Sequence, residues 1–329
     1  MQLFPKTHFD FLGLRWKFFA ISGLLLGGSV VSLLTRGIKY GIDFTGGTEL
    51  QISFDKKIDT SDLRKALTVS GLNNPAIQRY VGSNTFMVRV QNLNGQATDA
   101  LDSQLKNLEA ALPGNAFHVD SKSYVGPAVG KHLFQQALWA IVLSLSGIII
   151  YLGFRFSNPI WGLAGIIALF HDVLATYGFF SLMGFHVDLL IVSAILTIGG
   201  YSIHDTIVIF DRIREKLRIM RKESLRQVMD ESMNETLSRT IITSSTVLIV
   251  VSILYFFGGK VIHHFALAMV FGTIVGTYSS IAVAAPLVYE WTLRHERGRP
   301  DEKPVISQKN SASSNNKYER KSKKPVKNA

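Results

Sequence analysis

Six long blocks of apolar residues, nearly free of charge, constrain this chain more than any other feature. A hydrocarbon core about 30 Å thick is crossed by roughly 20 apolar residues in an α-helix. Because lipid holds no water, each block must satisfy its backbone hydrogen bonds internally, as a helix. The sequence therefore predicts an α-helical integral membrane protein with six transmembrane helices, called the first to sixth spans. Their predicted ranges are 15–34, 133–154, 160–183, 188–210, 238–257 and 264–290.

The charges beside these blocks indicate how the chain is oriented. Lys and Arg cluster before the first span, between the fourth and fifth spans and after the sixth, whereas the turns 184–187 and 258–264 contain only Lys260. Cytoplasmic loops carry an excess of Lys and Arg, so both termini are predicted to be cytoplasmic. The remaining segments are then a cytoplasmic start at 1–14, an external loop at 35–132, a cytoplasmic segment at 211–237 and a cytoplasmic tail at 291–329.

The first block has an alternative interpretation. It follows Arg15 and Lys17, as the apolar part of a signal peptide would. Its run of about 17 residues is long for that purpose, and no small-residue cleavage site of the A-x-A kind follows it. We therefore expect an uncleaved first span, with a cleaved signal peptide as the alternative.

The external loop at 35–132 is long enough to fold as a domain. Strand-like alternation at 48–54, 76–81, 85–91 and 116–125 surrounds two helical patterns at 60–70 and 98–112. The first helix is predicted to be capped by Thr60 or Ser61. The order β-α-β-β-α-β predicts a small α+β domain of the ferredoxin-like, split βαβ kind.

Two basic segments are assigned to the cytoplasm. Segment 211–237 is strongly charged with spaced apolar residues, which predicts an amphipathic helix on the membrane surface. The polar, Lys-rich chain beyond Pro300 is predicted to be disordered. A formal net charge of +11 would suggest nucleic acid in a soluble protein. Here the charges lie at membrane edges and in the tail, so we expect them to orient the protein in the membrane and to attract anionic lipid near the tail. No nucleic-acid partner is predicted.

Ionisable residues inside the spans are candidates for function because burying them in a membrane is costly. Asp205 lies in the inner half of the fourth span, and Arg239 lies at the start of the fifth. The two side chains could meet across the cytoplasmic connection and form a switchable proton relay. The alternatives are an ion pair that only holds two helices together and, for Arg239, a side chain that extends to the headgroups.

A second group of polar residues lies in the same three helices. His171 and Asp172 stand near the middle of the third span and form either a functional pair or a polar pair facing the bundle interior. His204 precedes Asp205 but points about 100° away from it on a helix. The secondary candidates for a proton pathway are His204, His171, Asp172, Thr243 and Ser244.

Small residues repeat at helical spacing in two spans, Gly23 and Gly27 in the first and Gly272, Gly276 and Ser280 in the sixth. Such residues permit close approach between helices, so they predict packing contacts. The chain has no cysteine, which excludes disulfides and thiolate metal sites. No nucleophile–base set, metal-ligand spacing or phosphate-binding loop is present, so no enzyme, cofactor or metal is predicted. His263 and His264 are expected to lie on the external surface.

Together these stretches resemble SecF, the smaller subunit of the SecD–SecF accessory complex of bacterial Sec protein export. The resemblance covers the first to the sixth spans. It rests on GIDFTGGT at 41–48, FHDV at 170–173, GYSIHDTIV at 200–208, DRIRE at 211–215, TLSRTIITS at 236–244 and GT with a following Gly at 272–276. The external loop of fewer than 100 residues favours SecF over SecD, which carries a far larger external domain.

The resemblance implies an RND-like half bundle in the bacterial inner membrane that pairs with SecD. It implies use of the proton-motive force to move exported, unfolded polypeptides after the SecYEG channel and the SecA ATPase have acted. Asp205 and Arg239 match family residues implicated in proton flow. The family signature falls on Gly41, Asp43, Gly46, Gly47 and Thr48, without a role that its residues explain. His204 departs from the family, where Asn is expected. Two alternatives remain: an RND-type small-molecule efflux component and a non-catalytic scaffold of the translocase.

Overall fold

The structure is a computed structural model that describes residues 8–72, 75–80, 83–90, 99–220, 222–259 and 261–297. It contains six helices long and apolar enough to cross a membrane, as the apolar blocks predict. Residues 1–7 of the predicted start at 1–14, and residues beyond 297 of the predicted tail at 291–329, lie outside the described residues. The spans comprise Arg15–Arg36, Pro127–Arg155, Pro159–Met183, Leu189–Ile219, Leu225–Phe257 and, for the sixth, His263–Ser279, Ser280–Ala284 and Ala285–Arg297.

The third, fourth and sixth spans form the centre of the bundle. More than half of the residues in the most apolar stretch of each of these spans are buried, whereas fewer than one in five are buried in the corresponding stretches of the first, second and fifth spans. The outer half of the core gathers Phe180, Ile195 and Ile198 with their neighbours. The opposite half gathers Phe210, Trp161 and Met233. The first span packs on the third, where a Cβ added to Gly178 would lie 2.2 Å from Ser29.

Segment 211–237 does not form a separate helix on the membrane surface, so that prediction is wrong. The fourth span continues to Ile219, and the fifth begins at Leu225, where the side chain of Ser224 caps it by accepting from the Gln227 amide at 3.3 Å. The apolar residues of the segment are buried against the bundle together with Leu12. Its amphipathic pattern therefore reflects packing of two extended helices on the protein rather than burial in lipid.

The external domain has a four-stranded sheet: β1 (Gly47–Phe54), β2 (Ala76–Arg79), β3 (Thr85–Val90) and β4 (Phe117–Val125). Its order is β2-β3-β1-β4, and every neighbouring pair is antiparallel. The helices Thr60–Val69 and Asp99–Ala111 follow β1 and β3. This is the predicted split βαβ arrangement.

The alternating apolar residues of the domain build a core of their own. Leu50, Ile52, Phe86 and Val88 from the central strands are fully buried together with Leu63 of the first domain helix. Asp59, not Thr60 or Ser61, occupies the N-cap of that helix, and its side chain makes no capping hydrogen bond. The predicted cap was therefore one or two residues too late.

Candidate functional site

Asp172 is the centre of a polar cluster that joins three spans. Its carboxylate is fully buried, and its Oδ2 accepts hydrogen bonds from Ser202 of the fourth span and from Ser279 of the sixth at 2.7 Å. Its Oδ1 lies 2.9 Å from Nδ1 of His171. A carboxylate with three polar partners is satisfied inside an apolar bundle, where an isolated charge would be very costly. The predicted His171–Asp172 pair thus faces the bundle interior.

His171 has one free ring nitrogen. The ring is buried and its Nε2 has no hydrogen-bond partner among the described residues. The ring lies 6.4 Å, centroid to centroid, from Tyr278 of the sixth span, whose hydroxyl donates to the carbonyl of Phe18. Because Nδ1 is engaged by Asp172, a proton carried by this ring would leave or arrive through Nε2.

Hydroxyl groups extend this cluster along the fourth and sixth spans. Thr206 Oγ1 donates to Ser280 Oγ at 3.2 Å, and Ser280 Oγ lies 3.4 Å from the carbonyl oxygen of Ser202. Ser280 begins the π-helical turn Ser280–Ala284, directly after Ser279. π-turns often occur at functional sites because they shift backbone groups out of helical register. Two successive hydroxyls thus reach different spans: Ser279 bonds to Asp172 of the third, and Ser280 contacts Thr206 and Ser202 of the fourth.

The fifth span joins this network through Ser244, one of the secondary candidates. The Tyr201 hydroxyl donates to Ser244 Oγ at 3.0 Å, and Ser244 Oγ lies 2.7 Å from Thr277 Oγ1. The buried Thr240 and Thr273 hydroxyls have no partner in the described residues. The interface between the fourth, fifth and sixth spans is therefore polar along several turns.

Asp205 lies about one turn further towards the Ile219 end of the fourth span than Ser202. It is buried, with 3 % of its surface exposed, and its Oδ2 has no hydrogen-bond partner among the described residues. Arg239, His204 and the Thr243 hydroxyl are its electrostatic neighbours. No ion pair within 4.0 Å joins Asp205 to Arg239 in the described part of the chain. The two predicted partners are thus near each other but unpaired.

Arg239 is exposed and lines a cavity of about 1410 Å³ at the inner ends of the fourth and fifth spans. The cavity reaches Val208, three residues beyond Asp205, and its wall carries acidic residues such as Asp211 and Glu235. His204, also exposed, points away from the bundle as its helical phase predicts. The Thr243 hydroxyl bonds to the carbonyls of its own helix.

The family signature lies where the domain joins the spans. Lys39–Tyr40 pairs in parallel with His186–Val187, and the Gly41 amide continues this pairing by donating to the Val187 carbonyl at 2.8 Å. The short helix Ile42–Thr45 follows, and Asp43 Oδ2 accepts from the Leu189 amide at 3.1 Å. The signature therefore ties the end of the first span to the outer start of the fourth.

Its glycines fit a close approach to the second span. Gly46 has φ +69°, and a Cβ there would lie 2.9 Å from Cα of Pro127. A Cβ on Gly130 would lie 2.9 Å from the Gly46 amide nitrogen. Gly47, with φ +130°, starts strand β1, in which Thr48 is buried and pairs with Tyr124 and Val90. The signature thus connects the first, second and fourth spans to the sheet.

Several of these residues escape sequence reasoning. Ser202, Thr206, Tyr201, Thr277 and Ser279 are hydroxyl residues in apolar helices, where most such groups bond to their own backbone. A helical spacing of four between Ser202 and Thr206 is the one signal that could have selected them. Among the described residues, no group of three or more His, Cys, Asp or Glu is placed to hold a metal ion.

These features define a multi-pass membrane protein with a polar interior and a small external domain. The family model "Protein export membrane protein SecD/SecF, C-terminal" matches residues 105–294, and the "SecD/SecF GG Motif" matches residues 31–58. The chain is 40 % identical over 296 residues to the protein translocase subunit SecF of Endomicrobium trichonymphae, covering 89 % of this chain and 94 % of the relative. The corresponding subunit of Vibrio alginolyticus is 39 % identical, with 87 % and 91 % covered.

Solved structures agree with this assignment. SecDF from Thermus thermophilus, a translocon-associated membrane protein, matches with a TM-score of 0.79 and 36 % identity over 88 % of this chain. SecDF in its super-membrane-facing form matches with a TM-score of 0.68 and 34 % identity over 92 % of this chain. This chain spans 39 % and 41 % of those longer chains. The chain belongs to the SecD/SecF family, and its similarity is to the SecF subunit.

Proposed function

We propose that this chain is the SecF-type subunit of an accessory complex that, with a SecD partner, uses the proton-motive force to promote late steps of protein export across the bacterial inner membrane. The observation that carries the proposal is the line of buried acidic and hydroxyl groups that runs from Asp172 to the level of Asp205. Groups of this kind inside a membrane mark proton and ion pathways.

The two carboxylates stand at different depths. Asp172 is roughly 17 Å from the outer end of the third span, and Asp205 is roughly 24 Å from the outer end of the fourth, at 1.5 Å per residue. Ser202 lies between these two depths, and the bonded pair Thr206 and Ser280 lies at about the level of Asp205. The cavity at Val208 and Arg239 then continues towards the predicted cytoplasm. Protons would pass from the outer carboxylate to the inner one and leave through this cavity.

Asp205 and Arg239 have different roles in this proposal. Asp205 is the proposed carrier, because its carboxylate is buried within the bundle and one of its oxygens has no partner among the described residues. Arg239 is the switch, because moving it against Asp205 would favour the ionised carboxylate and release the proton. Each charge that crosses the membrane potential supplies about 2.3 kcal/mol per 100 mV. A few protons per cycle would therefore suffice to bias a movement of helices.

The signature junction offers a mechanical link to the external domain. The fourth span contains Asp205, and its outer start is bonded to Asp43 and Gly41. Strand β1 begins at Gly47, immediately after those residues. A shift of the fourth span would therefore be transmitted to the sheet.

The need for a partner follows from the polar groups left exposed on the fourth and fifth spans. His204, Arg239, Ser245 and Thr246 are exposed there. Polar groups facing lipid are unfavourable, so a second bundle of the same kind would be expected to cover them, as in paired transporter halves. SecD is the proposed partner, and SecYEG, SecA and the exported chain are proposed to interact with the assembled complex.

The test measures proton-dependent export in proteoliposomes that contain the translocon, a SecD-like chain and variants of this chain. Asp205→Asn and Arg239→Met are expected to abolish the stimulation of export by a proton gradient. Glu223→Gln and Lys222→Met are matched controls, since both residues are exposed in the neighbouring turn. Normal stimulation in both site variants would exclude the relay and favour a scaffold. Normal export combined with loss of small-molecule extrusion after deletion would favour an efflux component.

A further inference from the structure

An apolar cleft of about 710 Å³ lies between the second and third spans and the end of the sixth. Its walls include Ile149 and Gly153 from the second span, Leu163 and Ile166 from the third, and Trp291 from the sixth. Two of these lining residues are exposed, Leu163 with 49 % and Ile149 with 41 % of its surface accessible. The volume is within the range of roughly 300–1,000 Å³ that is typical of ligand sites.

Two basic residues, Arg294 and His295, line this cleft, and no acidic residue lines it. Both are exposed, and Arg294 forms no ion pair with a described residue. By contrast, Arg155 at the end of the second span is already paired with Asp211. An uncompensated cation above an apolar cleft is complementary to a molecule with an anionic head and an apolar tail.

The cleft also lies at a membrane boundary. Asn158 caps the start of the third span, and Arg155 ends the second, so the cleft begins at the predicted cytoplasmic interface. Trp291 lines the cleft at the same level. Tryptophan is enriched at headgroup depth, where one part of its ring is wet and the other apolar. The charged end of a bound molecule would therefore lie among headgroups, with its tail directed into the bilayer.

The face that carries this cleft differs from the one that needs a protein partner. The exposed polar residues of the spans, His204, Arg239 and Thr246, are on the fourth and fifth helices. The cleft is formed by the second, third and sixth. The apolar walls of the cleft can face lipid at no cost in free energy, whereas burying the polar residues of the fourth and fifth spans in lipid is unfavourable.

We infer that this cleft binds one phospholipid of the cytoplasmic leaflet, with its phosphate at Arg294 and His295 and an acyl chain between the second and third spans. Near a membrane surface each cation contributes to attraction of anionic lipid. The site should therefore prefer phosphatidylglycerol to phosphatidylcholine. This inference is independent of the proton pathway, because none of its residues belongs to the polar cluster.

The experiment is native mass spectrometry of the full chain with dioleoyl phosphatidylglycerol or dioleoyl phosphatidylcholine added at equal concentration. One retained lipid per chain is expected, with roughly fivefold preference for phosphatidylglycerol. Gly153→Leu should fill the cleft and abolish retention of both lipids. Gly147→Leu, on the same helix and outside the cleft, is the matched control. A Cβ at either glycine meets nothing within 4 Å, so both variants are expected to fold.

Arg294→Gln should remove the preference for phosphatidylglycerol while phosphatidylcholine is still retained. Lys17→Gln, which removes an exposed cation from the first span, should leave the preference unchanged. Equal lipid retention by the two glycine variants would overturn the inference, as would equal retention of both lipids by the unmodified chain. If Gly153→Leu instead released a co-purified protein partner and retained the lipid, the cleft would be a protein interface.

Discussion

The Asp43 carboxylate accepts a hydrogen bond from the Leu189 backbone amide at 3.1 Å, across 146 residues of sequence. Leu189 is the first residue of the fourth span, and Asp188 before it caps the same helix by accepting from the Ile191 amide at 2.9 Å. Two carboxylates thus satisfy amides that a helix start leaves free. Their negative charges also interact favourably with the positive end of the helix dipole. One of the two carboxylates, Asp43, belongs to the family signature, so the signature junction helps to stabilise the start of the fourth span.

Replacing Asp43 by Ala should loosen the start of the fourth span. Loss of a carboxylate that bonds to a helix N-terminus typically costs about 1 kcal/mol. Hydrogen exchange of the Leu189 and Leu190 amides should accelerate roughly fivefold as a result. Asp59→Ala is the control, because Asp59 is an N-cap without a side-chain hydrogen bond. An unchanged exchange rate of the Leu189 amide in the Asp43→Ala variant would show that the hydrogen bond does not stabilise the start of the fourth span.

Replacing Gly46 by Ala should disrupt the junction more strongly. The added methyl would lie 2.9 Å from Cα of Pro127, and the residue would have to keep φ +69°. Strain of this kind costs on the order of 1–3 kcal/mol, so thermal unfolding in detergent should shift to lower temperature. Gly147→Ala is the matched control: it adds the same methyl into open space on the second span. A normal midpoint for Gly46→Ala would mean that the second span moves away freely.

Much of the fold could be predicted because the governing patterns are local. Apolar runs fix the spans, and alternation at 48–54 and 85–91 fixes the central strands. The amphipathic pattern at 211–237 was misassigned because the same periodicity serves a helix on lipid and a helix on protein. Gly23 and Gly27 were expected to permit close packing, yet a Cβ at either meets nothing within 4 Å. The close contact is between Ser29 and Gly178, on a face that sequence spacing does not identify.

The site was predictable only in part. Asp205 and Asp172 stand out because a carboxylate in an apolar run is rare. The hydroxyls of Ser202 and Ser279 do not, since their role depends on a partner in another span. The signature can be recognised in the sequence as a motif, but the hydrogen bond between Asp43 and Leu189 joins positions that are distant in sequence. Relationships of that kind require the tertiary structure.

The contact between the external domain and the bundle should weaken in acid. His186 Nδ1 lies 3.3 Å from Gln78 Oε1 on β2, and Tyr80 stacks on His264 at 6.1 Å. Burial, followed by the charges of Arg89, Lys39 and His264, lowers the pKa of His186 from 6.5 to about 3. The docked contact therefore has its full strength above pH 6.5 and loses it as the pH falls towards 3. His263 and His264, expected on the surface, are half-buried in this contact.

The measurement is hydrogen exchange of β2, corrected for the intrinsic pH dependence of exchange. Between pH 7 and pH 5 the contact should lose up to about 2 kcal/mol, since an undocked His186 takes up a proton that the docked one does not. His186→Gln should remove the part that His186 contributes and leave the part due to His264, which is half-buried in the same contact. His118→Gln, which changes an exposed histidine of β4, should leave the dependence intact. An unchanged pH dependence in His186→Gln would show that His186 does not contribute to it.

The buried centre at Asp172 gives the last prediction. Ser279→Ala removes a donor at 2.7 Å from Oδ2 and leaves Ser202 and His171 as partners. A hydrogen bond to a charged group contributes about 1.5–3 kcal/mol, so its loss should loosen the contact between the third and sixth spans. Proton-driven export by Ser279→Ala is therefore expected to reach a lower maximum rate than in the unmodified chain.

The matched control is Ser193→Ala, because the Ser193 hydroxyl bonds only to the Leu189 carbonyl of its own helix and is exposed. Its export rate should equal that of the unmodified chain. Ser279→Thr, which retains the hydroxyl, should restore the rate if the donor matters rather than the volume. Equal rates for all four proteins would mean that the hydrogen bond from Ser279 to Asp172 has no part in transport.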